Sequence, residues 1–124
     1  MVAAVVAAVA NVAVFWFATA GIGLPLYMAP IPDLNPAPLS VIAVIIASVV
    51  PAALATLLVA LLAHWTRRPW PWFWSIAFVA LLLSWGGPLA ATADPITKVM
   101  LGVMHLVAAA AIVAILTALA RPVR

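Results

Sequence analysis

Polar residues are rare along this chain, and the sites where they cluster separate four long apolar runs. The runs cover residues 2–20, 39–63, 72–89 and 95–120. They do not alternate apolar with polar residues, as the strands of a transmembrane β-barrel must. About 20 apolar residues in a helix cross the roughly 30 Å core of a bilayer. The pattern therefore predicts an all-α polytopic membrane protein, a four-transmembrane-helix bundle that forms one domain over residues 1–124.

Proline, glycine and aspartate mark the ends of these predicted spans. The connection over residues 21–38 is rich in proline but also apolar, so we expect an extended loop folded over the helix ends. Pro51 predicts a kink in the second span, with Ser48 and Thr56 placed to satisfy the freed backbone groups. The third span is short for a bilayer. Asp94 and Pro95 predict the N-cap and first position of the fourth helix.

The first run also has some features of a secretory signal peptide. Residues 18–20 resemble a small-residue cleavage site, but no basic segment precedes the run. The apolar part is also longer than is usual in a signal peptide. We therefore expect this segment to be retained as the first transmembrane helix.

Composition and charge agree with a membrane location. Hydrophobic residues make up 70% of the 124 residues and charged residues 6%, more apolar surface than a soluble domain of this size can bury. The chain has no cysteine, which excludes disulfides and thiolate chemistry. Arginines follow the second and fourth spans (Arg67, Arg68, Arg121 and Arg124). By the positive-inside rule, both termini are predicted to be cytoplasmic, with the protein in the plasma membrane.

The basic residues report topology and give no indication of nucleic-acid binding. The predicted partners are the lipid bilayer and other membrane-protein subunits or further copies of this chain. Tryptophan and arginine cluster at span ends, as in the interfacial belts of membrane proteins. The predicted membrane-interface anchors are Trp65, Trp70, Trp72, Trp74, Trp85, Arg67 and Arg68.

Two polar residues lie near the middle of apolar spans, where an unpaired polar group is costly. Helix rise places Asn11 about 14 Å and His105 about 15 Å from opposite membrane faces, so both are close to the midplane. Alanines share the Asn11 face of the first span, which favours close packing against the fourth. Asn11 and His105 are therefore predicted to form an interhelical hydrogen bond. The alternative is a polar pocket between the first and fourth helices that binds a lipophilic ligand.

A polar stripe descends the fourth span from Asp94 through Lys98 to His105. It has two interpretations. In the first, Asp94 and Lys98, which have the i,i+4 spacing of a helical ion pair, are an N-cap followed by a snorkelling lysine. The other interpretation is the mouth and floor of an outward-facing cavity, with Thr97 at its rim. The candidate ligand-binding residues are thus His105, Asn11, Asp94, Lys98 and Thr97.

Known catalytic and metal-binding motifs are missing from the sequence, so neither a catalytic residue nor a metal site is predicted. No cofactor is predicted either. His64 and His105 differ in depth by about 15 Å and cannot share one haem. A haem or pigment on His105 would need a single axial ligand or a second ligand from another subunit.

Several short segments resemble an uncharacterised family of small four-helix membrane proteins common in actinobacteria, a domain of unknown function. The matching residues are Asn11, Arg67-Arg68, Ser84-Trp85-Gly86-Gly87-Pro88, Ala93-Asp94, Thr97-Lys98 and Met104-His105-Leu106-Val107. The resemblance implies the four-helix fold and its topology. It implies no activity.

Three functions follow from these observations. The leading hypothesis is a non-catalytic protein that serves as an accessory or assembly subunit of a membrane complex, or as a homo-oligomer. The alternative is a binder or carrier of a lipophilic ligand or pigment. The weakest hypothesis is a small transporter or a membrane enzyme. Small multidrug transporters have this size but use a glutamate in the first helix, where this chain has Asn11 and no glutamate.

Overall fold

The structure is a computed structural model that describes residues 1–29 and 35–119. Within these residues, four helices are long and apolar enough to cross a membrane. They confirm the predicted all-α bundle. The helices are α1 (Val2–Trp16, continued by a π-helical turn over Phe17–Gly21), α2 (Val41–Trp65), α3 (Pro69–Ser84, continued by the short α4, Gly86–Ala90) and α5 (Pro95–Leu119).

Side-chain caps and prolines explain where these helices begin. The Ser40 hydroxyl accepts a bond from the Ala43 N–H at the start of α2. The Asp94 carboxylate accepts the Thr97 N–H at the start of α5, which confirms the predicted N-cap. Helix α3 begins at Pro69, three residues before the predicted start. A first helical turn tolerates proline because its N–H groups have no partner within the helix.

The described part of the proline-rich connection contributes two strands to an unpredicted three-stranded sheet, whose third strand precedes α5. Strands β1 (Tyr27–Ala29), β2 (Ala37–Pro38) and β3 (Thr92–Ala93) are antiparallel in the order β2-β1-β3. Pro38 stands on an edge strand, where a missing N–H does no harm. Leu26 and Ala29 are buried, so the described part of the loop lies over the helix ends as predicted. We call this end of the bundle the cap end, and the opposite end, at residues 66–68, the turn end.

Helix α1 packs along both α2 and α5. Its buried face recurs every four residues and is formed by Ala3, Ala7, Asn11 and Phe15. Small side chains allow the backbones of membrane helices to approach closely. Near the turn end, Ala3 and Ala7 belong to one core cluster with Ile112 of α5. The predicted contact of the first and fourth spans is therefore present.

Helix α3 stands apart from the bundle between two points of attachment. Of the four spans it is the least buried. Phe73 is its one buried residue and joins the core cluster near the turn end. At the cap end, the Trp85 ring lies against Gly102, so close that a β-carbon on Gly102 would be 3.3 Å from the ring. Between these two attachments, α3 leaves space beside α2 and α5.

Helix α2 continues through Pro51 from Val41 to Trp65. Two hydroxyls were predicted to satisfy the backbone groups freed by this proline, but both form hydrogen bonds elsewhere. Ser48 donates to the Val44 carbonyl and Thr56 donates to the Ala52 carbonyl. That prediction was wrong, because serine and threonine in a helix reach back one turn along their own helix.

Candidate intramembrane binding site

A cavity of about 950 Å³ lies where α3 stands away from its neighbours. Its walls come from α2, α3 and α5, and residues of the cap such as Met28 and Pro88 close one end. Asn11 is the one residue of α1 in its lining. Most of the other lining residues are alanine, leucine, valine and aromatic residues. The cavity is therefore a largely apolar space at the depth of the bilayer core, open on one side.

This position differs from the pocket predicted between the first and fourth spans. Those two helices, α1 and α5, meet closely through Ala3 and Ala7, which are fully or almost fully buried. A side chain as small as alanine leaves no room for a ligand between closely packed helices. The space lies instead between α5, α2 and α3, and Met104 and Ile112 of α5 border both this space and the core shared with α1.

Asn11 carries an unsatisfied buried polar atom. The side chain is 5% exposed, and its Nδ2 donates to the Ser48 hydroxyl over 2.9 Å. Its Oδ1 is buried and has no hydrogen-bond partner among the described residues. Exchanging the amide atoms would only leave Nδ2 unpaired at the same place. A buried polar group without a partner costs about 1–3 kcal/mol, so Asn11 is an unusual residue to retain for packing alone.

His105 presents one ring nitrogen within its own helix and leaves the other available. Nδ1 lies 2.8 Å from the Leu101 carbonyl oxygen. A carbonyl only accepts, so Nδ1 carries the proton and Nε2 of the neutral ring offers a lone pair. The side chain is half-buried and lines the cavity. Among the described residues, this contact with Leu101 is the only hydrogen bond of the His105 side chain.

The predicted hydrogen bond between Asn11 and His105 is not formed. Each residue has a nearer partner, Ser48 for Asn11 and Leu101 for His105. The two residues nevertheless lie at similar depth. One core cluster contains Ala7 and Ile112, and another contains Phe15 and Met104, so Asn11 is roughly level with the part of α5 between Met104 and Ile112. His105 lies within about one helical turn, roughly 5 Å, of that level.

The two hydroxyl side chains of the lining donate within their own helices. Ser84 donates to the Leu81 carbonyl. Thr117 donates to the carbonyls of Val113 and Ala114. Asn11 Oδ1 and His105 Nε2 add acceptors to the lining, and Trp74 adds an indole N–H donor.

The remaining predicted ligand-binding residues form a separate cluster at the cap end, outside the cavity lining. Thr97 is buried and donates its hydroxyl to Asp94 over 2.6 Å. Lys98 Nζ donates to the Leu89 carbonyl, 3.0 Å away. The predicted pairing of Asp94 with Lys98 is therefore replaced by two local contacts. This cluster joins the start of α5 to the end of α4 and does not form the mouth of the cavity.

Hydrogen bonds also set the acidity of Asp94. The Thr97 hydroxyl, followed by the Thr97 backbone N–H, holds the pKa of the Asp94 carboxyl below its ordinary value. Both donors stabilise the charged form. Asp94 is thus a structural carboxylate at the helix start, and it is exposed.

The predicted interface anchors fall into two groups. One group projects from the bundle surface: Trp65, Trp72, Trp74, Arg67 and Arg68 are exposed. The other group also packs inside the fold. Trp70 meets Phe73 edge to face, and Trp85 lies on Gly102. Arg121 and Arg124 lie outside the described residues.

Within residues 1–29 and 35–119, no three histidine or acidic side chains converge to hold a metal ion. His105 is the one histidine in the cavity lining. A pigment or haem there would have this single protein ligand, and the absence of a cofactor stays a prediction.

Sequence reasoning missed Ser48 as the partner of Asn11 and α3 as a wall of the cavity. A signal for Ser48 was present, because a small hydroxyl near mid-depth in a neighbouring span is a natural partner for a buried amide. The position of α3 had no comparable signal.

Comparison with known proteins yields a family but no activity. No curated protein and no solved structure matches the chain. DUF6069, described as a family of unknown function, matches residues 1–122. The actinobacterial origin in the resemblance stays a prediction. The match spans all four apolar helices and both sides of the cavity, and on this evidence the chain belongs to the DUF6069 family.

Proposed function

We propose that this membrane protein binds a lipophilic molecule in the cavity between α2, α3 and α5 and catalyses no reaction. The observation that carries this proposal is the unsatisfied Asn11 Oδ1 beside a largely apolar cavity of about 950 Å³. Ligand sites in proteins commonly measure about 300–1,000 Å³ and combine an apolar lining with a few polar groups. The cavity has both properties.

The cavity is elongated, and this shape supports a chain-like ligand. Its lining on α5 runs from Leu101 to Thr117, about 24 Å of helix rise. The leading sequence-based hypothesis, an accessory subunit or homo-oligomer, stays a prediction.

The polar groups of the lining support binding rather than catalysis. A nucleophile needs a base within hydrogen-bonding distance. The Ser84 and Thr117 hydroxyls donate to carbonyls of their own helices. His105 bonds the Leu101 carbonyl. In the part of the chain that the structure describes, the cavity thus offers recognition groups without an activated nucleophile.

We further propose that the protein lies in the plasma membrane with both termini in the cytoplasm. The support is the arginine bias of the Arg67-Arg68 turn and the C-terminal residues Arg121 and Arg124. The cap end then faces outward. A reporter enzyme inserted at the Arg67-Arg68 turn should show cytoplasmic activity, and periplasmic or extracellular activity would reverse the proposed topology.

Ligand binding is tested by purifying the protein in mild detergent and analysing the co-purifying small molecules by mass spectrometry. The test variant is Ala109→Phe, which places a ring in the cavity lining. The control is Ala13→Phe, at an exposed position of α1. We expect a stoichiometric lipophilic molecule in the wild type and in the control, and its loss in Ala109→Phe.

Two outcomes would overturn the binding proposal. One is the same set of small molecules, in the same amounts, in all three proteins. The other is a wild type without any bound small molecule but with a stoichiometric partner subunit. The second outcome would establish the accessory role predicted from the sequence.

A further inference from the structure

The chemistry of the cavity indicates which lipophilic molecules it selects. We propose that the ligand is a long-chain lipid whose head is a hydroxyl group that donates its single proton to the unpaired Asn11 Oδ1. This inference rests on the proposed function, because it names the class of molecule that the same cavity binds.

The unpaired acceptor Asn11 Oδ1 carries the inference. The Asn11 amide N–H donates to the Ser48 hydroxyl, and the His105 ring N–H donates to the Leu101 carbonyl. The hydroxyls of Ser84 and Thr117 donate to backbone carbonyls. A head group that only accepts, such as an ether or a ketone, leaves Asn11 Oδ1 unpaired. A hydroxyl donor pairs with Asn11 Oδ1. Because an unpaired buried polar atom is costly, the site should discriminate strongly between hydroxyl head groups and head groups that only accept.

The position of these groups sets the direction of the ligand. His105, which lies within about one helical turn of the level of Asn11, is four residues from the cap-end limit of the lining at Leu101 and twelve from the turn-end limit at Thr117. Helix rise converts these separations to about 6 Å and about 18 Å. The hydroxyl head therefore lies toward the cap end, and the chain extends toward the turn end along Ala108, Ile112 and Val113.

Recognition requires a small movement of Asn11. Its Oδ1 is buried behind the cavity surface, while the residue itself contributes to the lining. The terminal torsion of an asparagine side chain is soft, so a modest rotation of the amide brings Oδ1 to the surface. Ser48 retains its own bond to the Val44 carbonyl during that rotation.

The test compares two probes of equal chain length, 1-hexadecanol and its methyl ether, 1-methoxyhexadecane. Binding to the full-length protein in detergent micelles is measured by titration with native mass spectrometry. We expect the wild type to bind the alcohol about five- to tenfold more tightly than the ether, the effect of one buried hydrogen bond. Asn11→Leu should lose this preference and keep its affinity for the ether within about twofold.

Two further variants keep the test decisive if Asn11→Leu folds poorly. Asn11→Ala also removes Oδ1, with a smaller side chain than leucine, so it should lose the preference for the alcohol as well. Thr117→Val removes a hydroxyl that is already bonded within α5, and it should leave the preference unchanged.

The outcomes separate this inference from the proposed function. Equal affinity of the wild type for both probes would overturn the hydroxyl preference while leaving lipophile binding intact. Tighter binding of the ether would overturn it as well. Failure of the wild type to bind either probe would contradict the proposed function itself.

Discussion

The two faces of α5 differ in how completely they are filled. On one face, α1 packs against α5 and α2 through buried residues at every fourth position, beginning with alanines. At mid-depth, a hydrogen bond between Asn11 and Ser48 links α1 to α2. On the other face, α3 contributes one buried residue, Phe73. Hydrophobicity alone does not drive membrane helices together, because lipid tails are equally apolar. Small residues at helical spacing accompany the filled face, whereas Ala77, Ala80 and Ser84 of α3 line the cavity.

The largest expected effect comes from Phe73→Ala, which removes the attachment of α3 near the turn end. Phe73 is 1% exposed and belongs to a core cluster. Replacing a buried phenylalanine costs about 3–5 kcal/mol in soluble proteins. We expect about 2 kcal/mol here, since lipid already solvates the apolar groups of the separated helices. Unfolding in mixed micelles of mild detergent and dodecyl sulfate measures the loss.

The matched control is Phe78→Ala on the same helix, where the side chain is largely exposed. It should change the free energy of unfolding by less than about 0.5 kcal/mol. Equal effects at the two positions would mean that α3 is not attached through Phe73.

A pair of alanine-to-leucine substitutions compares the two faces directly. Ala7 is fully buried between helices, so Ala7→Leu should destabilise the protein by about 2 kcal/mol through overpacking. Ala109 lines the cavity, and Ala109→Leu should change stability by less than about 0.5 kcal/mol because the added methyl groups enter open space. The same unfolding measurement applies. Similar penalties at both sites would show that the second face is filled in the membrane.

Substitutions at Asn11 and Ser48 test whether Asn11 is retained for its structural hydrogen bond or for ligand recognition. Ser48→Ala leaves both polar atoms of the Asn11 amide unpaired and should cost about 1 kcal/mol. Asn11→Leu removes the unpaired Oδ1 and should leave the protein as stable as the wild type, or more stable by up to about 1 kcal/mol. A larger loss in Asn11→Leu than in Ser48→Ala would indicate that Oδ1 is satisfied in the bilayer.

The smallest effect is a pH dependence at the cap end. The folded pKa of Asp94 is lowered, so its carboxylate stabilises the folded state above the ordinary aspartate pKa. That contribution is lost as the pH falls through the lowered value. Asp94→Asn should therefore be slightly less stable than the wild type at neutral pH, and the difference should vanish in acid. A difference that is constant with pH would contradict the role of the charge.

The sequence predicted the spans well and their arrangement in part. Length and apolar composition were sufficient to predict four helices, and the pair Asp94-Pro95 was sufficient to predict where α5 begins. The partner of Asn11 was mistaken, because helix rise gives depth but not which neighbour faces a side chain. Ser48 and His105 have comparable depth by that measure, and only the packing of α1 against both α2 and α5 placed Ser48 next to the amide.

The sequence by itself determined that this chain crosses a membrane as four helices, with one polar residue deep in the first span and another in the fourth. These properties depend on local composition and on the requirement that backbone groups in lipid bond internally. Only the tertiary structure decided that the cap forms a small sheet, that Asn11 retains an unpaired oxygen, and that the open space lies beside α3. Those features depend on which helix faces approach one another, and in an apolar solvent that choice follows from the fit of side chains rather than from hydrophobicity.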